Sequence, residues 1–116
     1  PESESIAFKE FVQACSQSHL PALRLALIAW GRQYFADADL HNLDELAQRT
    51  GDKEIKAICI KIQQALYGES SQDAKSLQGD IQRLQVLITD LRTQHKLAQT
   101  KAVKDQDYSL PPLYKS

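Results

Sequence analysis

The sequence predicts an all-α fold: two helical hairpins, TPR-like or packed as an irregular bundle, then a long C-terminal helix and an extended Pro-rich tail. Three observations carry that prediction. Apolar residues recur at helical spacing in successive segments, and capping residues and glycines separate those segments. The stretch from Leu20 to Phe35, LPALRLALIAWGRQYF, is apolar around almost its whole circumference. A helix coated on nearly all sides is normally enclosed by other helices. It is short against the ~20 residues of a bilayer span, and Arg24 and Arg32 count against that reading too.

The 116 residues suffice for one domain with a real core, and the prediction is a single helical domain over 1–106 with a tail over 107–116. Apolar residues make up 42% and charged ones 25%, an ordinary globular composition that argues against disorder. Net charge is −1, with Lys and Arg spread along the chain, which gives no electrostatic footprint for nucleic acid or an anionic membrane. No signal peptide, membrane-spanning run or lipidation motif is present. A chain opening on Pro1-Glu2 without Met reads as a piece of a longer protein, whose membrane segment would lie upstream.

The first helix is expected over 4–17, with Ser3 or Ser5 as N-cap and Phe8, Phe11, Val12 and Cys15 on one greasy face. A short polar link from Ser16 to His19 leads into the central helix, 20–35, where Pro21 suits the first turn. The short link implies an antiparallel hairpin. ADADLHN reads as a loop. Asn42 and Glu45 then form a capping box in the broad sense for a third helix over 42–50, and Gly51 sits where a left-handed residue closes it. Asp52 caps a fourth helix, 53–67, with Ile55, Ile58, Cys59, Ile62 and Leu66 on one stripe and Gly68 at its end.

GESSQD is a linker by composition. The last helix is expected over 74–104. Its apolar positions alternate steps of four and three, with Ile81, Ile88, His95 and Ala102 at heptad position a and Leu77, Leu84, Leu91 and Ala98 at d. The seam is strong from Leu77 to Leu91 and thin beyond, so the first part should pack and the last turns project. Leu77, Ile81, Leu84, Ile88 and Leu91 are the candidates for self-association, against the alternative of packing onto the hairpins. Gly31 and Gly79 fall inside helices, explained either by close approach of a neighbour or as tolerated imperfections. Pro111 and Pro112 favour an extended tail in which Leu110, Pro111, Pro112, Leu113 and Tyr114 are the candidate partner-binding residues. PPLY also matches the PPxY pattern that WW domains grip, though a four-residue match arises easily by chance.

No catalytic constellation stands out. His19, His41 and His95 belong to separate elements without metal-ligand spacing. Asp37, Asp39 and His41 share a loop but fail as an EF-hand, because Asn42 and Gln48 occupy the positions of its glycine and bidentate glutamate. Cys15 and Cys59 read as buried free thiols rather than nucleophiles. No GxSxG elbow or phosphate-cradling loop occurs. The expectation is no enzyme, no cofactor and no metal. Trp30, Tyr34 and Phe35 are either core or the lining of a peptide groove. Arg24 and Arg32 either bind a carboxylate or snorkel and pair with nearby acids.

Taken in order, Ala26, Leu27 and Trp30 at the end of the Pro21–Trp30 helix, then NLDELA from Asn42 to Ala47, ALYG from Ala65 to Gly68 and the terminal LPPLY resemble the C-terminal domain of the BatD family, the bacterial oxygen-tolerance proteins. That resemblance spans most of the chain, leaving out the polar stretch from Gln94 to Gln106. It implies a larger membrane protein with a secretion signal, an extracytoplasmic β-rich region, one span and this helical piece on the cytoplasmic side of the bacterial inner membrane. It implies as partners the von Willebrand A-domain Bat proteins or a MoxR-type AAA+ ATPase, and supplies no catalytic residues. The function expected is a non-enzymatic protein–protein interaction module involved in oxygen or stress tolerance. The alternative is a structural homodimerisation domain built on the heptad-patterned last helix.

Overall fold

The computed structural model of the chain describes residues 2–68 and 73–109, with side chains through residue 98. The described residues form five helices and no strand: α1 (Glu2–Cys15), α2 (Leu20–Tyr34), α3 (Leu43–Thr50), α4 (Lys53–Leu66) and α5 (Gln78–Ser109). The protein is all-α, with α1 paired against α2 and α3 against α4. Two units divide the chain, Pro1–Gln85 and Val86–Ser116.

Local chemistry sets the helix ends. His19 caps α2: its Nδ1 accepts from the Ala22 amide at 3.1 Å, while Pro21 has no amide proton to leave unpaired. Asn42 Oδ1 accepts from the Glu45 amide at 2.8 Å, and Glu45 reaches back one residue further than expected, to the His41 amide at 3.2 Å. Asp52 Oδ1 accepts from the amides of Glu54 and Ile55. Gly51 closes α3 at φ 68°, a left-handed conformation that costs glycine nothing.

Most helix ends fall within two residues of the sequence reading, and three of the differences change an expected role. α1 starts at Glu2, so Ser3 and Ser5 lie inside its first turn instead of capping it. The start of the last helix moves from residue 74 to Gln78: residues 74–77 form a turn, with Asp73 Oδ1 accepting from the Ser76 amide at 2.9 Å. At the other end α5 continues to Ser109, so residues 107–109 are helical where an extended tail was expected. Proline restricts chiefly the residue before it, here Leu110, and leaves Tyr108 and Ser109 free to be helical. The rest of the tail lies outside the described residues.

The core of the first unit is built from Phe11, Leu23, Leu27, Trp30, Leu40, Leu43, Leu46, Ile55, Ile62, Leu77, Ile81 and Leu84, all fully enclosed. Each contributes on the order of 1.5–3 kcal/mol by leaving water. Glu54 holds Arg83 in a two-pronged pair at 2.6 and 3.0 Å, and Lys61 meets Asp80 at 3.3 Å, both at the surface of this unit. Cys15 and Cys59 are free and buried. In the second unit Ile88 is buried and Leu91 half-buried, while residues 93–98 are exposed.

Candidate functional site

The helix α2 meets two different environments along its length. Its C-terminal half is closed. The Trp30 ring is fully buried, its Nε1 donating to Glu4 Oε2 at 2.6 Å inside the core. Tyr34 stacks on it with centroids 4.7 Å apart, and Phe35 meets both rings edge-on. The Arg49 guanidinium lies 5.0 Å from the Phe35 centroid and pairs with Asp37 at 2.6 Å. Gly31 lies against its neighbours: a Cβ would press on Leu46 Cδ1 and come within 2.7 Å of Leu40 Cδ2, so those side chains would have to shift. Of the two roles open to Trp30 in the sequence, filling the core is the one this geometry supports.

The N-terminal half is open. Leu25 is 63% exposed although it sits two residues from fully buried Leu23 and Leu27. At the C-terminal end of α4, Tyr67 is 66% exposed. Together with Pro21, Arg24 and Leu66 these side chains line a solvent-open cleft of about 360 Å³. That volume is within the ~300–1,000 Å³ typical of ligand pockets. The cleft holds two large apolar side chains in water and one cation.

The two arginines of α2 part ways here. Arg32 donates through Nε to the Leu40 carbonyl at 2.6 Å, which ties the α2–α3 connection to the helix. Arg24, half-buried, reaches only the His41 carbonyl, at 3.4 Å, and makes no ion pair among the described residues.

The loop of Asp37, Asp39 and His41 is knitted internally. Asp37 accepts from Arg49 through one oxygen and from the Asp39 amide through the other, at 3.0 Å. His41 Nδ1 lies 3.0 Å from both the Asp39 carbonyl and Glu45 Oε1. No group of three His, Cys, Asp or Glu able to hold a metal occurs among the described residues. Burial pushes the Cys15 thiol up to about 12, and burial together with the Asp44 charge does the same to Cys59. A thiol held protonated in this way is a poor nucleophile.

Of the residues singled out for self-association, Leu77, Ile81 and Leu84 are buried in the first unit, Ile88 is buried and Leu91 half-buried. The tail candidates Leu110, Pro111, Pro112, Leu113 and Tyr114 lie outside the described residues. The cleft itself is new. In a helix apolar on every side, Leu25 carries the same pattern as a core residue, so periodicity does not mark it. The tyrosine next to a helix-ending glycine, Tyr67-Gly68, was the one available hint. No helix among the described residues is long and apolar enough to cross a membrane.

A family described as a domain of unknown function (DUF7939) matches residues 4–95. No curated protein and no solved structure matches the chain.

Proposed function

The chain belongs to the DUF7939 family, and from that premise we propose that it is a non-enzymatic protein–protein interaction module. The observation that carries this reading is the cleft, where Leu25 and Tyr67 stand in water beside Pro21, Arg24 and Leu66. Clustered large apolar side chains beside a polar rim are the usual makings of a binding surface. The family match covers the residues that line the cleft and stops before the tail. The pairing of α1 with α2 and of α3 with α4 supports a TPR-like arrangement within this reading.

The sequence resemblance extends the proposal. On it, the domain belongs to a BatD-like membrane protein of the oxygen- and stress-tolerance type, works on the cytoplasmic side of the bacterial inner membrane, and meets a von Willebrand A-domain Bat protein or a MoxR-type AAA+ ATPase. Support for this part is the order of sequence motifs alone. Homodimerisation through the heptad is the less favoured reading, since Leu77, Ile81 and Leu84 would have to leave the core of the first unit.

Binding of the full chain to each purified candidate partner tests the proposal, with the double variant Leu25→Ser, Tyr67→Ser alongside. Binding that the double variant loses supports it. Binding that the double variant retains removes the cleft from the function, and absence of binding to either protein removes the partner assignment.

A further inference from the structure

We propose that the occupant of the cleft is a short segment of another protein in which a leucine-sized apolar side chain stands beside an aspartate or glutamate. This rests on the interaction-module reading and adds the chemistry of the partner. The apolar half of the requirement comes from Leu25, Leu66, Tyr67 and Pro21, which line a cleft open to solvent.

The acidic half comes from charge. Arg24 lines the same cleft, and its guanidinium has five N–H donors in a fixed fork that matches a carboxylate. One donor makes a long contact of 3.4 Å with the His41 carbonyl, and no acid among the described residues pairs with it. Arg49, Lys61 and Arg83 each meet a carboxylate of their own chain, and Arg32 bonds the Leu40 carbonyl at 2.6 Å. The start of α2 offers few free donors to compete for an anion. Pro21 has no donor there, the Ala22 amide is capped by His19, and the Leu23 amide bonds the His19 carbonyl. Arg24 therefore sets the sign of the charge that fits.

The test uses the isotopically labelled full chain and three acetylated, amidated peptides, identical except for Asp, Asn or Lys beside a central leucine. Amide shifts at Arg24, Leu25, Leu66 and Tyr67 are followed by NMR. The expected result is saturable shifts at these residues with the Asp peptide tightest, and about two- to fivefold weaker binding on Asp→Asn or on Arg24→Gln, the size of an exposed ion pair. Arg24→Gln should leave binding of the Asn peptide unchanged. If the Asn or Lys peptide binds the cleft as tightly as the Asp peptide, the acidic partner is wrong and the interaction module survives. If none of the three moves these amides, both are wrong. A peptide copying residues 110–116 that outcompetes the Asp peptide would make the chain's own tail the occupant. Self-association abolished by Leu25→Ser would make it a second copy. Either result overturns the proposal.

Discussion

Leu25 and Leu27 are the same residue, two positions apart on one helix, yet the first is 63% exposed and the second fully buried. The same contrast holds for the two ends of α2. Around Trp30 every direction is filled: Glu4 from α1, Tyr34 and Phe35 from the same stretch, Leu40 and Leu46 against Gly31. Around Pro21 and Leu25 one direction is left to water. Composition does not separate the two ends, since both are apolar. What separates them is whether a neighbour arrives, and that is decided by segments far along the chain. The closed end contributes stability and the open end contributes a surface.

Substitutions at the closed end should be costly, and the largest effect is expected for Trp30→Ala. It removes the biggest side chain of the core and leaves the buried Glu4 carboxylate without its indole donor. A loss of about 3–5 kcal/mol is expected in denaturant unfolding, enough to consume much of the stability of a domain this size. A loss below 1 kcal/mol would erase the difference between the ends.

The buried thiols offer a second measure of closure. Their raised values mean that the unfolded chain releases these protons first as pH rises. Their contribution is therefore fully present below pH 9.0, the ordinary thiol value, and is lost as pH climbs toward about 12. Cys15→Ala, Cys59→Ala should flatten the alkaline part of a stability–pH curve. In the native protein at pH 8, both thiols should react with an aromatic disulfide reagent only as fast as the chain opens.

The glycines sharpen the comparison by a change of sign. Helix propensity alone favours alanine over glycine by ~1 kcal/mol. At Gly31 the added methyl meets Leu40 and Leu46, both enclosed and with little room to retreat, so Gly31→Ala should destabilise by about 1–3 kcal/mol. At Gly79, near the start of α5, a Cβ meets nothing within 4 Å, and Gly79→Ala should stabilise by up to ~1 kcal/mol. Thermal melting of the two variants side by side reads the difference. Equal signs would mean that the packing at Gly31 has been misjudged.

Much of the fold was legible in residue spacing. The positions of all five helices, the Asn42 and Asp52 caps and the left-handed Gly51 follow from local rules that need no tertiary knowledge. Other features depended on partners remote in sequence. Glu4 reads as a first-turn acid suited to the helix dipole, and only the arrival of Trp30 makes it a buried hydrogen-bond acceptor. His19 is a local exception: it reads as a linker residue and turns out to cap α2 through the Ala22 amide, a role its ring nitrogen can fill but which other residues fill more often. The two candidate explanations of the internal glycines proved to divide between them, close approach at Gly31 and open space at Gly79. The cleft was the least legible. Its lining comes from the start of α2 and the end of α4, and an apolar pattern on either helix alone does not say which leucine stays uncovered.

The smallest stability effect, and the most informative one, is expected at the open end. Leu25→Ser is measured in two ways on the same sample of the 116-residue chain, by denaturant unfolding and by titration with the leucine–aspartate peptide. The account predicts stability within about 0.5 kcal/mol of the parent chain, as for a surface position, together with loss of saturable shifts at Tyr67 and Leu66. A large loss of stability would show that Leu25 belongs to the core after all, and unchanged peptide binding would show that the open end of α2 is not where partners dock.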